Sequence, residues 1–223
     1  AAPATVRERR AVEELCADGR LVEINDITAL PLRSGKPFVT GPFLNVYNEA
    51  TARFLVRHGA RTICPPVEIS LATIGAIATA CPEAEFEIFA FGRLPLALSG
   101  RCYHARLHGL HKDSCQFTCE QDLAVDTLDG QSFLAINGVQ TLSAQVQAVV
   151  LDPAEFAAYG VRRLRLSPHG CDMVEIARTY RELVEQRLDP DGARFLLSCL
   201  DLPGPMVDGY AWGEAGSRPP VAV

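Results

Sequence analysis

The feature that most constrains the fold is an alternation of short strand-like runs with helical segments. Runs of β-branched and apolar residues of strand length occur at 21–25, 38–40, 62–64, 86–91, 133–136 and 164–166. Most are followed by segments with apolar residues three or four positions apart, at 46–57, 69–80 and 173–187, and a further helix is predicted over 5–17. Strands that alternate with helices pair in parallel through right-handed crossovers. The pattern therefore predicts an α/β fold.

Two architectures with parallel strands remain open, a doubly wound sheet and a β/α barrel. An eight-unit barrel needs about 250 residues, and this chain has 223. We favour a (β/α) TIM-barrel-like fold, because polar residues stand at the ends of nearly all predicted strands. We expect this barrel to be truncated at the N-terminus, because the chain opens on a helical segment without an initiator Met. The partial barrel is expected over 1–200, a cysteine-bearing insertion loop over 99–130, and an irregular tail with several Pro and Gly over 201–223.

Polar residues stand at the carboxyl end of nearly every predicted strand. In parallel α/β folds these ends face the ligand site, so we expect a shared mouth formed by Asn25, Asn45, Glu68, Arg93, Asn137 and Ser167. Glu68 is the ionisable group expected to act on a proton or a hydroxyl, and Arg93 is expected to bind a carboxylate through a bidentate pair. Two alternatives stay open: Asn and Ser can simply make turns, and Glu68 and Arg93 can form a salt bridge with each other.

The composition argues against nucleic-acid-binding and membrane-spanning proteins. The formal net charge is -6, whereas a phosphate-binding face needs clustered Lys and Arg. No apolar run reaches the roughly 20 residues that cross a bilayer, so no transmembrane segment is expected. The amino terminus lacks a basic region followed by an apolar stretch. We therefore expect a cytoplasmic protein, in a compartment where clustered cysteines bind metal or carry out redox chemistry more often than they form disulfides.

Three of the eight cysteines fall in one segment with the spacing Cys-x12-Cys-x3-Cys. They are Cys102, Cys115 and Cys119, one ligand short of a closed tetrahedral site. An iron–sulfur cubane tolerates such irregular spacing because each thiolate binds a different iron. Free thiols are one alternative. Another is a zinc ion, which normally uses closely spaced ligand pairs, with a fourth ligand from His104, His108 or His111.

The residues around these cysteines resemble the signature of the collagenase-like peptidase family U32. The resemblance rests on Phe91-Gly92-Arg93-Leu94-Pro95-Leu96, on Ser99-x-Arg101-Cys102-Tyr103-x-Ala105-Arg106 and on Lys112-Asp113-x-Cys115-x3-Cys119. Supporting stretches lie at 23–26, 41–48, 64–70, 136–141 and 165–170, so that the resemblance runs from about Arg9 to Arg187. The three-cysteine spacing is most similar to that of the members that act in oxygen-independent ubiquinone biosynthesis.

The resemblance implies a protein that carries a 4Fe-4S cluster and pairs with UbiU in anaerobic ring hydroxylation of a quinone precursor. Residue by residue, Cys102, Cys115 and Cys119 match three cluster ligands. The fourth ligand is expected in an N-terminal part of the family fold that this chain lacks, or is replaced by Cys64 or Cys171, which end two predicted strands.

Two other functions remain as alternatives. One is a peptidase-like hydrolase, as the family's name suggests, although the sequence contains no activated Ser, Cys–His pair or zinc-protease motif. The other is a noncatalytic or RNA-modification accessory protein. The absence of a basic stripe and the net charge of -6 weigh against it.

Overall fold

The structure, a computed structural model, describes residues 6–220. Thr5, predicted to begin the first helix, lies outside the described residues, as do 1–4 of the predicted barrel and 221–223 of the predicted tail. The strands are β1 (Val22–Ile24), β2 (Phe38–Thr40), β3 (Ala60–Ile63), β4 (Glu85–Leu98), β5 (Leu123–Asp126), β6 (Ser132–Asn137), β7 (Gln140–Ala148), β8 (Val161–Leu166) and β9 (Met206–Val207). The α-helices are α1 (Val6–Ala17), α2 (Glu49–Arg57), α3 (Leu71–Ala80), α4 (Tyr103–Leu107), α5 (Pro153–Ala158), α6 (Met173–Val184) and α7 (Pro190–Ser198).

Five strands form the parallel part of the sheet, in the order β1-β2-β3-β4-β8. The helices that follow them begin at side-chain caps, which set their first residues. Asn48 accepts a hydrogen bond from Thr51 N and Ser70 from Thr73 N, so α2 and α3 start two or three residues later than their apolar periodicity predicts. Side chains of the strands and helices meet in one buried core that includes Phe38, Leu55, Ile63, Ile74, Phe86, Tyr180 and Leu183.

Strand β4 continues past Phe91, where the sequence pattern ends it, and takes part in a second arrangement of strands. Its first half pairs in parallel with β8, from Phe86↔Val161 to Phe91↔Leu166. Its second half pairs antiparallel with β7, from Phe91↔Ala148 to Leu98↔Gln140. The carbonyl of Ala90 accepts from Val149 N, and the next one, on Phe91, accepts from Ser167 N. Successive carbonyls of a strand point to opposite edges, so β7 and β8 lie on opposite sides of β4.

Residues 133–136 do not form a barrel strand, which corrects the prediction from their apolar composition. They belong to β6, which pairs antiparallel with β5 and β7. A tight turn at Gly138, with φ +60, joins β6 to β7. The segment 99–122 between β4 and β5 carries the three clustered cysteines and the short helix α4. Residues 99–148 thus form an antiparallel insertion within the α/β fold.

The parallel sheet is curled, because side chains from its two outermost strands meet. Arg165 on β8 bonds both Glu87 on the neighbouring strand β4, at 2.6 Å, and Glu23 on β1. Strands β2, β3 and β4 lie between β1 and β8 in the sheet. A side chain reaches across three strands only when the sheet bends into a trough. The expected partial α/β barrel is therefore present as a half-barrel.

The tail after α7 packs on the sheet. Strand β9 adds to β7 in parallel, with Val146↔Met206 and Gln147↔Val207. Val207 and Ala211 are buried, and Ala211 belongs to the main core. In the part of the chain that the structure describes, no helix combines the length and the apolar character that crossing a bilayer requires.

The ion pairs of the trough predict a graded effect on stability. The Arg165–Glu87 pair is mostly shielded, with side-chain exposures of 25% and 15%, whereas the Arg163–Glu85 pair is 56% and 51% exposed. Arg165→Met leaves two carboxylates without their cation, so we expect the free energy of unfolding in urea to fall by about 2 kcal/mol. The matched control Arg163→Met should cost less than about 1 kcal/mol. Equal losses would contradict closure of the trough by Arg165.

Candidate functional site

A cavity of about 680 Å³ lies where the half-barrel meets the antiparallel insertion. This volume is within the range of about 300–1,000 Å³ that small-molecule sites occupy. Five separate parts of the chain form its walls, namely Arg93 and Pro95 of β4, the segment 120–122, residues 137, 140 and 142 of β6 and β7, the loop 167–170 after β8, and residues 201–203. The cavity therefore lies at the carboxyl end of β8, as the barrel model predicts for a ligand site.

Arg93 is buried in the cavity wall, and its guanidinium is held by the protein itself. Nη1 donates to Ser143 O at 2.9 Å, and Nη2 donates to Pro203 O at 2.6 Å. Nε lies 3.7 Å from Asp122 Oδ2, which is too long for a hydrogen bond. The two Nη groups thus tie β4 to β7 and to the tail.

An irregularity in the β4–β7 ladder creates this anchoring. Pro95 has no backbone N–H, and the register between the strands shifts on both sides of it. Ser143 compensates for the lost pairing, because its hydroxyl accepts from Leu94 N at 2.8 Å and donates to Gln145 O at 2.6 Å. Its carbonyl is thereby free to accept from Arg93.

His169 lines the cavity, although the sequence does not mark it as functional, because a His beside Gly170 is typical of a turn. Its Nε2 accepts from Arg93 N at 2.8 Å. Burial and the nearby Arg93 guanidinium lower the pKa of His169 below its usual value. Gly92 gives the ring its place, because a Cβ there would lie 3.0 Å from His169 Nε2 and 2.8 Å from Ser167 Cβ.

Hydrogen bonds connect the cysteine segment, residues 99–122, to the β6–β7 turn. Asn137 Nδ2 donates to Cys119 O at 3.1 Å and to Asp122 Oδ1 at 2.9 Å. His104 is buried, and its Nδ1 accepts from Gly138 N at 3.1 Å. The other nitrogen, Nε2, must then carry the proton and donates to Gln121 O at 2.9 Å. Both nitrogens of His104 are occupied, so this side chain is not available as the fourth ligand of a zinc site.

The three clustered cysteines are free thiols in different surroundings. Cys102 is buried and caps α4, with Sγ accepting from Ala105 N at 3.4 Å. Cys119 lies beside the β6–β7 turn, with Sγ 3.9 Å from the position of a Cβ on Gly138. In the same turn, Gly138 O accepts a hydrogen bond from the backbone N–H of Tyr103, the residue after Cys102. Cys115 is half-buried and ends a single 3-10 turn.

The three thiols on this segment match an iron–sulfur cubane in ligand type and supply three of its four ligands. Their arrangement is not that of a finished site. Among residues 6–220, no three side chains of His, Cys, Asp or Glu are placed to hold a metal ion together. A cluster bound here requires the thiols of Cys102, Cys115 and Cys119 to move closer to one another.

The two alternative fourth ligands lie in different places. Cys64 is fully buried near Arg165, and burial raises the pKa of its thiol to about 12, which opposes the thiolate that a metal needs. Cys171 is half-buried and follows Gly170 of the cavity wall. Burial also raises the pKa of Cys171, as do the charges of Asp172 and Asp201. Of the two, only Cys171 adjoins the cavity.

The structure brings together three of the six polar residues expected at the mouth. Arg93, Asn137 and Ser167 line the cavity, and the other three lie elsewhere. Asn25 donates to Glu23 at 2.6 Å and lines a smaller hollow of about 170 Å³ beside α1. Asn45 is exposed and ends a 3-10 turn with φ +56. Glu68 is exposed and accepts a short hydrogen bond from Tyr47 OH, which raises the pKa of Tyr47 to about 12. Arg93 and Glu68 each have another partner, so neither is bonded to the other.

The tight fit at Gly92 predicts that the cavity wall is sensitive to a single methyl group. Gly92 has φ +125, which L side chains rarely adopt, and an added Cβ meets Ser167 at 2.8 Å. Gly92→Ala should lower the free energy of unfolding by about 2 kcal/mol, as strained backbone sites do. Gly100→Ala is the control, because nothing lies within 4 Å of the added methyl group, and it should stay within about 0.5 kcal/mol. Equal stability of the two variants in thermal or urea unfolding would refute the close packing of this wall.

Comparison with known proteins identifies the family. The family model described as peptidase family U32 matches residues 22–196, more than three quarters of the 223 residues. The matched region contains β1 to β8, the cysteine segment and most of the cavity wall. No solved structure matches the chain significantly. The chain belongs to peptidase family U32.

Proposed function

We propose that the chain is a UbiV-like iron–sulfur component of oxygen-independent ubiquinone biosynthesis, acting with UbiU in the hydroxylation of a quinone precursor. The observation that carries the proposal is the position of the cysteine segment beside the cavity. Glu120, Gln121 and Asp122 form one wall and directly follow Cys119. Asn137 lines the same cavity and donates to Cys119 O. A cluster on this segment would adjoin the ligand in the cavity.

A cluster, when bound, supplies electron transfer or activation of an oxygen donor other than O2. The chain itself would position the quinone precursor. Pro95, Leu142 and Leu202 give the cavity apolar surface, on which an aromatic ring can pack. Arg93 holds β4, β7 and the tail together at the cavity wall. Ser167 and His169 offer polar groups for its oxygens.

The cavity favours this function over hydrolysis. A serine hydrolase needs its nucleophile bonded to a base. In the described part of the chain no hydrogen bond joins Ser167 Oγ to His169, whose Nε2 is occupied by Arg93 N. RNA binding is also disfavoured, because Glu120, Asp122 and Asp201 make the cavity wall acidic.

Iron content tests the cluster. Protein purified without air, alone and together with UbiU, should contain iron and sulfide in equal amounts and absorb broadly in the blue, because thiolate-bound clusters have charge-transfer bands. Replacing Cys102, Cys115 and Cys119 together with Ala should abolish both the iron and the absorbance. Cys199→Ala is the matched control, since Cys199 is exposed at the end of α7, and it should leave the iron content unchanged.

Two results would contradict the proposal that the chain carries an iron–sulfur cluster. One is colourless protein with one zinc ion per chain, both alone and with UbiU. The other is a triple variant that keeps its iron.

Association with UbiU is the second test, and exposed apolar side chains on the insertion suggest where it takes place. Leu107, Phe117, Leu128 and Phe133 are all more than half exposed. Phe117, between Cys115 and Cys119, is 81% exposed. Exposed aromatic residues are favoured as interface anchors. We expect the chain to co-purify with tagged UbiU, and Phe117→Ser to weaken the complex roughly tenfold.

The matched control is Val174→Ser on α6, a residue that is 68% exposed and far along the chain from the cysteine segment. It should leave the affinity unchanged. Failure of the unaltered chain to co-purify would remove UbiU as the partner. Equal weakening by both variants would remove the insertion as the contact surface.

A further inference from the structure

We propose that His169 determines ligand specificity in the cavity, as a neutral imidazole whose Nδ1–H donates to an uncharged acceptor oxygen, and that the cavity rejects carboxylate ligands. The inference rests on the proposed function in one respect only, the choice of an aromatic ring as ligand. The role of His169 follows from the hydrogen bonds and charges of the wall.

The backbone decides which nitrogen of His169 carries the proton. Arg93 N lies 2.8 Å from Nε2, and a backbone N–H can only donate. Nε2 must therefore present its lone pair. A neutral imidazole has one N–H, so the proton is on Nδ1. An imidazolium would have to break the bond to Arg93 N, which keeps the ring neutral.

Nδ1–H is available to a ligand. Among residues 6–220, no protein group is hydrogen-bonded to Nδ1, and this atom is not one of the buried polar atoms without a partner. His169 itself lines the cavity and is only half-buried. An accessible N–H on a cavity wall is a donor that a ligand oxygen can satisfy.

The charges around the cavity exclude an anionic partner for this donor. The wall contains the carboxylates of Glu120, Asp122 and Asp201 and one cation, Arg93. Both Nη groups of Arg93 are used by backbone carbonyls, and Nε faces Asp122. A ligand carboxylate would meet three carboxylates against one cation, Arg93, whose two Nη groups are occupied and whose Nε is buried beside Asp122. This differs from the sequence-based expectation that Arg93 binds a carboxylate.

The ligand that fits is an uncharged ring bearing a hydroxyl or carbonyl oxygen. Such an oxygen accepts from Nδ1–H while the ring packs against Pro95 and Leu142. The charged groups that act on the imidazole are Arg93 and Asp122, which have opposite effects on its pKa. Burial adds to the effect of Arg93 and also lowers the pKa, while the bond from Arg93 N to Nε2 already requires the neutral ring.

Nitrogen NMR of the chain labelled in histidine tests the tautomer. His169, assigned by its loss in His169→Gln, should show a protonated Nδ1 and an unprotonated Nε2 at pH 7. His104 is an internal reference with the opposite tautomer, because its Nδ1 accepts from Gly138 N. A protonated Nε2 or an imidazolium at His169 would overturn the proposal.

Binding tests the ligand class with two probes that differ by one charge, ortho-butylphenol and its para-carboxyl derivative. NMR titration of the chain should show that the neutral phenol binds and shifts the Nδ1 resonance of His169. The carboxylate should bind at least about tenfold more weakly, as like charges at close range imply. Equal or tighter binding of the carboxylate, or no binding of the phenol, would overturn the proposal.

Two variants separate the donor from the scaffold. In His169→Gln, the side-chain oxygen reaches the place of Nε2 and keeps the bond to Arg93 N, but the donor at Nδ1 is lost. In His169→Asn, an amide N–H occupies the place of Nδ1, while the bond to Arg93 N is lost. We expect roughly fivefold weaker phenol binding in His169→Gln, the effect of one hydrogen bond, and near-normal binding in His169→Asn despite its lower stability. Unchanged binding in His169→Gln would refute the donor role.

These measurements need neither iron nor UbiU, so their failure is distinguishable from failure of the proposed function. If the chain binds the phenol through His169 but never carries iron, the inference about His169 stands and the cluster proposal fails. If the chain carries iron and pairs with UbiU but does not bind the phenol, the cluster proposal stands and the inference about His169 fails.

Discussion

The arrangement depends on β4, a single strand of 14 residues that pairs with a different neighbour in each half. Up to Phe91 this strand belongs to the parallel half-barrel through β8, and from Phe91 onward it pairs with β7 of the antiparallel insertion. A single strand shared in this way joins the two parts without an intervening loop. Tyr180 of α6 reinforces the junction, because its hydroxyl lies 3.1 Å from Ala90 O and 3.3 Å from Val149 O, within hydrogen-bonding distance of both carbonyls. The cavity is therefore held open by the sheet itself.

Arg93, the buried cation at this junction, has a structural role. The two Nη groups of Arg93 donate hydrogen bonds to the carbonyls of Ser143 and Pro203, and its backbone N–H donates to His169 and orients the ring. One residue thus connects β4, β7, the tail and the loop after β8. In the proposed function this anchoring keeps the cysteine segment and the ligand site in a constant relation. Recognition of the ligand then falls to groups whose hydrogen-bonding capacity is still unused, of which Nδ1 of His169 is one.

Local patterns predicted the parallel part of the fold well. The β-branched run at Phe38–Thr40 forms β2 with the predicted bounds, and the periodic segments after it form α2 and α3. The insertion was misjudged because Pro95 normally ends a strand, whereas here Ser143 takes over the lost pairing. Asn137-Gly138 before an alternating run is a hairpin signal that the apolar residues at 133–136 obscured. The partners of Arg93 lie 50 and 110 residues away along the chain, so no local pattern could have indicated that its Nη groups are occupied.

The claim that β4 unites the two parts is tested most directly by amide hydrogen exchange along that strand. The account predicts that the paired amides before and after Phe91 exchange at similar, slow rates, because both halves open only when the whole sheet opens. It also predicts strong protection of Arg93 N–H, which is bonded to His169. Fast exchange from Arg93 to Leu98, with Phe86 to Phe91 still protected, would show that the insertion opens independently and would contradict the account.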